Sequence, residues 1–388
     1  MVEARARRTA SVCAAALIGM TVSCSDPPDY PGDDLRRLPA AASGAVVVGP
    51  LAMESVGKQD RSLLFVFDAD GKVLGRDLGA AVSNNRVLAA GDRLVTSFAD
   101  SVAAVTEDKS ERFGIDRESI VQSAAIQPDG GASTIWYNTG IVDGEYVNRF
   151  ASIGADNSVR TGKVTGIVGT SSYCGKSNFA VVRQSVVGGG ENPTKNWLYE
   201  LGQDNTPVAR AQWDYDTEFR PVTSTAPCTA DGSEIVALYA SEQTVTGGGA
   251  TRLTVVKFRT ADGTRTETAL TMPGFTWETH RSSLAVLNDK LYWVTRDGDV
   301  LSVPLDGSSA VTKEWTLHGT QAKVALSVRG QTISTISYGE KAEFSRYDLA
   351  SGRRTLGPIA LAWLDDIQGH KTESGGNIYS IADMTVLE

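Results

Sequence analysis

Histidine is scarce in this chain of 388 residues: only His280, His318 and His370 occur. None sits in a His-x-x-x-His or Cys-x-x-Cys setting, so a histidine-based transition-metal site is not expected. Neither a Gly-x-Ser-x-Gly elbow nor a phosphate-cradling Gly-x-x-x-x-Gly-Lys-Ser/Thr loop is present, and no cofactor or metal is expected. Gly188-Gly189-Gly190 and Gly247-Gly248-Gly249 read as hairpin loops, because no helix follows either to receive a phosphate. Positive charge is in deficit, with 37 Lys+Arg against 46 Asp+Glu and a net charge of −9, which opposes binding to a phosphate backbone. There are four cysteines, too few for a disulfide-dense scaffold, while 41% hydrophobic residues suffice for a core without metals or staples.

The N-terminus carries an address. Arg5, Arg7 and Arg8 precede an apolar stretch, Thr9 to Val22, that is short for a bilayer span of about 20 residues and has the order of a secretory signal. Arg7-Arg8 is a weak twin-arginine pattern. The stretch ends in Thr21-Val22-Ser23-Cys24, which resembles the lipobox of bacterial lipoproteins, with Thr21 where that family usually has Leu. The resemblance implies a signal peptide over 1–23 and a lipidated Cys24, carrying diacylglyceryl and palmitate; an ordinary cleaved signal with an incidental cysteine is the alternative. Residues 24–44, rich in Pro and Asp, read as the lipidated cysteine and a disordered tether. Removing residues 1–24, with three Arg and one Glu, leaves −11, so contact with the membrane is expected through the lipid only. The expected location is extracytoplasmic, anchored at the cell membrane or outer envelope.

Residues 45–388 lack helical periodicity and read as an all-β domain of short apolar runs between turns. One kind of hairpin recurs seven times: Arg86–Phe98, Ile120–Tyr137, Val168–Val182, Val222–Tyr239, Ser282–Val294, Val324–Ile336 and Ile367–Ile381. A second kind alternates with it, turning at Asp70-Gly71, Asp108-Lys109, Asp156-Asn157, Asp204-Asn205, Asp262-Gly263, Asp306-Gly307 and Ser351-Gly352. The period averages in the mid-forties of residues. Two hairpins per period predict a seven-bladed β-propeller of four-stranded antiparallel blades, its ring closed by N-terminal outer strands and C-terminal inner strands. The competing architecture is a pair of β-sandwiches. Ser62–Phe67, Ile235–Tyr239 and Leu291–Val294, apolar on both faces, suit middle strands packed between neighbouring blades.

Phe67-Asp68-Ala69-Asp70-Gly71-Lys72-Val73 and Tyr347-Asp348-Leu349-Ala350-Ser351-Gly352-Arg353 resemble turn segments of bacterial PQQ-like and YVTN-type propeller repeats. Ala226 to Ile235 resembles the turn of TolB-type repeats. These resemblances imply a fold and no particular activity. The Trp that closes many PQQ-like repeats is missing from most units.

Cys174 and Cys228, 54 residues apart, occupy equivalent positions in adjacent units, so a disulfide is expected, with two buried thiols as the alternative. The loops between strands two and three and between blades share one side. Three of them are rich in rings and charges: Trp213, Asp214, Tyr215 and Asp216; Phe275, Trp277, Glu278 and His280; Trp363, Asp365 and Asp366. Such a face suits an envelope protein or extracellular ligand, or else its rings plug the gaps between blades. The functional expectation is a noncatalytic binding protein. The alternatives are a propeller enzyme, either glycan-active or a lactonase, and a structural component of an envelope complex.

Overall fold

The computed structural model describes residues 30–387 apart from 51–60, 91, 119, 128, 130, 185–194, 203, 215–218, 242–251, 273–278, 281–282, 318–322, 339–340 and 370–378. From Pro31 onward it is a seven-bladed β-propeller in which every blade is a four-stranded antiparallel sheet.

Blade 1 runs from the axis outward as β28 (Tyr379–Val386), β1 (Gly44–Pro50), β2 (Arg61–Phe67) and β3 (Val73–Ala80). The other blades follow the chain from inside to outside. Blade 2 is β4 (Val87–Ala90), β5 (Arg93–Ser97), β6 (Ser101–Val105) and β7 (Ser110–Gly114), and blade 3 is β8 (Ile120–Ile126), β9 (Ser133–Val142), β10 (Glu145–Ile153) and β11 (Val159–Thr165). Blade 4 is β12 (Ile167–Cys174), β13 (Ser177–Arg183), β14 (Lys195–Leu201) and β15 (Pro207–Asp214), and blade 5 is β16 (Phe219–Pro221), β17 (Glu234–Ser241), β18 (Leu253–Arg259) and β19 (Arg265–Ala269). Blade 6 is β20 (Ala285–Leu287), β21 (Lys290–Val294), β22 (Asp299–Pro304) and β23 (Thr312–Thr316), and blade 7 is β24 (Lys323–Arg329), β25 (Thr332–Tyr338), β26 (Glu343–Asp348) and β27 (Arg354–Ala360). A helix, α1 (Ala362–Gly369), follows blade 7.

The strands that read as apolar on both faces divide their side chains between two cores, as a period of two requires. On β17, Ile235, Ala237 and Tyr239 pack toward blade 4, whereas Val236, Leu238 and Ala240 pack toward blade 6. On β2, Leu64 and Val66 face blade 2, while Phe65 and Phe67 meet Trp363 and Phe344 across the seam with blade 7. Outermost strands such as β19 are largely exposed and polar.

The ring closes between N-terminal outer strands and the C-terminal inner strand, with β28 pairing antiparallel to β1. The closing hairpin differs from the sequence expectation over Ile367–Ile381. Among the described residues the C-terminus supplies one strand to blade 1 rather than two, and Ala362–Gly369 is helical; the expected turn at Gly375-Gly376 lies outside the described residues. The cause is β1: its Ala45-Val46-Val47-Val48 run, fully buried, takes the second position of blade 1.

The N-terminal tether expected over 24–44 is held from Asp33 onward. Leu35 N donates to Arg76 O at 2.7 Å, Arg76 N donates to Asp33 O at 2.8 Å, and Leu38 N donates to Thr106 O at 2.7 Å. Leu35 and Leu38 are buried in the core between blades 1 and 2. This segment covers the outer edge of β3, which would otherwise offer unpaired backbone groups. Cys24 and the signal lie outside the described residues.

Candidate functional site

The innermost strand of blade 5 breaks away from its sheet. Val222 N donates to Leu238 O and Val236 N to Pro227 O, so Thr223, Ser224, Thr225 and Ala226 stand opposite Ala237 alone. These four residues form a bulge toward the axis and pair with the neighbouring blade. Ser171 N on β12 donates to Ser224 O at 3.1 Å, and Ala226 N donates to Ser171 O at 2.9 Å, in parallel register.

From there the bulge reaches further round the ring. Thr225 Oγ1 donates to Ala124 O of blade 3 at 2.8 Å, and Ser123 Oγ of the same strand donates to Ser224 O while lying 2.6 Å from Ser171 Oγ. Arg86, at the start of blade 2, donates from Nη2 to Ser224 Oγ at 2.6 Å. Its Nη1 lies 3.7 Å from Asp383 Oδ2 on β28 of blade 1, and Val87 N donates to that same oxygen at 3.3 Å. Arg86 and Asp383 are 5% and 8% exposed, so this is a buried ion pair. Burial pushes the Asp383 carboxyl above its ordinary range, partly opposed by the Arg86 charge.

These contacts join blades 1 to 5 in a polar floor. Beside it lies a cavity of about 1110 Å³, a cup lined by all seven blades. Its walls come from the inner strands, among them Leu88, Ala125, Ile126, Val286, Val328 and Met384. The inner hairpin turns surround it, with Asp129, Lys176, Asp231 and Arg329. Cys174 and Cys228 form the expected disulfide between blades 4 and 5, with a Cα–Cα distance of 5.6 Å, and Cys228 belongs to the cup wall.

Those of the residues singled out from the sequence that the structure describes lie elsewhere, on several blade junctions. Trp213 is half-buried on the seam of blades 4 and 5, its ring 5.2 Å from Phe258 and beneath the Arg265 guanidinium at 5.3 Å. Asp214 is exposed and pairs with Lys195. Trp363 is half-buried, donates from Nε1 to Gly71 O of blade 1 at 2.9 Å, and packs 5.0 Å from Phe65. Asp365 Oδ1 accepts from Ala342 N at 2.8 Å, and Asp366 is exposed. His280 is half-buried before β20, its N donating to Val294 O at 3.1 Å; burial, then the Arg296 charge, lowers its pKa. Tyr215, Asp216, Phe275, Trp277 and Glu278 fall outside the described residues.

Trp213 and Trp363 therefore act as ties between blades. Trp315 has the same role, donating from Nε1 to Leu349 O of blade 7 at 2.8 Å. Its ring lies against Gly352, where φ is +69° and an added Cβ would fall 2.5 Å from the indole, so the turn requires glycine twice over. The cup floor was not legible in the sequence. A lone Asp in β28 and an Arg beside Asn85 look like ordinary surface charges until the ring brings blades 1, 2 and 5 together.

No protein-family model matches the chain, and no curated protein matches it in sequence. Among solved structures, the chain is similar to the Cps50 (Swd1) β-propeller domain of Myceliophteria thermophila, with 11% identity and a TM-score of 0.45 over 72% of this chain and 88% of that one. It is similar to apo AztD from Citrobacter koseri at 12% identity and 0.45, covering 89% and 98%. It is also similar to the Pyrococcus horikoshii acylaminoacyl peptidase at 12% identity and 0.48, covering 84% of this chain but 52% of that one. Likeness at such identities concerns the fold alone.

Proposed function

We propose that this chain is an exported, lipid-anchored propeller that binds a ligand in its central cup and does not transform it. The observation that carries this reading is the axial cavity, lined by all seven blades, beside a polar floor. A bulge from blade 5 and side chains from blades 1 to 4 cross-link the inner strands beside that cavity and hold its lining rigid. Cavities of roughly 300–1,000 Å³ are the usual size of small-molecule sites, and this one is slightly larger. The charged groups of the floor are engaged with one another and with Ser224, which suits a rigid receptor better than acid–base chemistry. The lipobox-like Thr21-Val22-Ser23-Cys24 supports anchoring by lipid, with the protein held at an envelope surface. The segments expected from the sequence to recognise an envelope protein, with Trp277 in one and Asp366 in another, are the surface proposed for such a partner.

The test is in-cell crosslinking of the anchored protein, with captured proteins and small molecules identified by mass spectrometry. Wild type is compared with Ser327→Trp, which fills the cup wall at a half-buried position, and with Trp277→Ala on the loop face. A species lost only with Ser327→Trp supports the cup; one lost only with Trp277→Ala moves binding to the loops. Turnover of a captured molecule by purified protein overturns the noncatalytic reading. Labelled palmitate incorporated by wild type and absent from Cys24→Ala tests the anchor.

A further inference from the structure

We infer that the cup takes an uncharged, largely apolar small molecule; this rests on the reading of the cup as the binding site. Although the chain carries −9, the ionisable side chains around the cup balance: Arg86, Lys176 and Arg329 against Asp129, Asp231 and Asp383. Most of them already have partners within the chain. At the floor, Arg86 is bonded to Ser224 and paired with Asp383, which also accepts from Val87 N. Around the turns, Asp129 accepts from Gln127 Nε2 and Gly131 N, Asp231 accepts from Thr229 and Ser233, and Arg329 Nη1 donates to Val386 O at 3.2 Å.

A charged ligand group seated at the floor would leave water and meet only the Arg86–Asp383 pair, since the other charged groups belong to the hairpin turns, where Asp129, Lys176 and Asp231 are exposed. It would have to displace a partner from a buried ion pair, and both steps are costly. An apolar group meets no such barrier, because the wall offers small and branched apolar residues such as Ala125, Ile126 and Met384. Hydrogen bonding is also available without charge. The inner strands β4, β8, β20, β24 and β28 are sheet edges toward the axis, and an edge presents backbone N–H and C=O groups. Pairing of the chain's own Ser224–Ala226 backbone with the edge of β12 shows such an edge accepting a neutral amide partner. The ligand chemistry that matches is an apolar body with a few neutral donors or acceptors.

The experiment titrates the folded protein with two fluorescent probes, uncharged Nile red and anionic anilinonaphthalene sulfonate. Nile red should saturate at one site per chain, and Ser327→Trp should weaken it about tenfold or more while leaving the thermal transition in place. Ala125→Leu, a smaller filling of the same wall, serves as the second variant if Ser327→Trp fails to fold. The sulfonate should bind about tenfold more weakly than Nile red and be insensitive to either variant. Absence of saturable Nile red binding, indifference to cup filling, or equal binding of the anionic probe at the same site overturns the inference. If cellular capture depends on the cup while Nile red does not bind, the ligand class is wrong and the binding function stands.

Discussion

An acid buried in the middle of an inner strand is costly unless its charge is answered. In Asp383 the answer is Arg86, the residue immediately before β4 in the next blade, and the pair lies in the polar floor beside the axial cavity. Removing one member leaves the other buried and alone, a loss of about 3–5 kcal/mol, whereas replacing both by apolar residues is often close to neutral. Arg86→Met should therefore lower stability by about that amount, and Arg86→Met with Asp383→Leu should recover most of it, as read from urea unfolding midpoints. The deficit of the single variant should shrink on acidification. Its Asp383 can then be neutral, and a carboxyl whose folded pKa is raised contributes stability at low pH that is lost as pH rises through that value. A double variant no more stable than the single one would show that Asp383 is not what Arg86 answers. None of this was visible in the sequence, since 86 and 383 are adjacent only once the ring has closed.

The turns were far more legible, because the chemistry that makes them is local. Each outer hairpin expected from the sequence is present, and in most of them an Asp carboxylate accepts a backbone N–H two residues on. Asp68 takes Asp70 N, Asp156 takes Ser158 N, Asp204 takes Thr206 N, Asp262 takes Thr264 N and Asp306 takes Ser308 N. Asp231 does the same in the inner hairpin turn of blade 5. Asn288 and Asp289 both adopt positive φ, at 50° and 55°, as a two-residue hairpin turn demands. Hydrogen bonds to the ionised form hold Asp156, Asp204, Asp262 and Asp348 below the usual carboxylate range and bring Asp231 to about 2. Such groups contribute stability above their unfolded pKa of about 4, and that contribution is lost as pH falls through the folded values. The urea midpoint should thus hold between about pH 7 and 5 and fall between about pH 4 and 2. Asp231→Asn, which keeps an acceptor oxygen without the charge, should flatten that fall. A midpoint unchanged down to about pH 2 would remove these turns as the source of acid sensitivity.

At the scale of the whole molecule, repetition was readable and closure only partly so. Seven units of mid-forties length can be counted along the chain, yet counting cannot say how the first and last fragments share a blade. That division depends on which apolar run pairs with which, and Ala45–Val48 outcompetes the stretch near Ile367, where α1 forms instead. The single strand β28 consequently bears the whole closure. It buries Ile381, Met384 and Val386, carries Asp383 to the floor, and covers the inner edge of β1. Side chains of this size are worth about 1.5–3 kcal/mol each when buried, and together they rival a typical folding margin of about 5–15 kcal/mol. A chain ending at residue 378 should therefore lose the single cooperative urea transition and expose apolar surface. Adding a peptide of residues 379–388 should restore part of that transition in a concentration-dependent way, because the peptide supplies the strand that the ring lacks. A truncated chain that unfolds like the full-length protein would mean that six complete blades and three strands hold together without closure. The cup floor, which needs Asp383 from that strand, would then have to be stable with Arg86 unanswered.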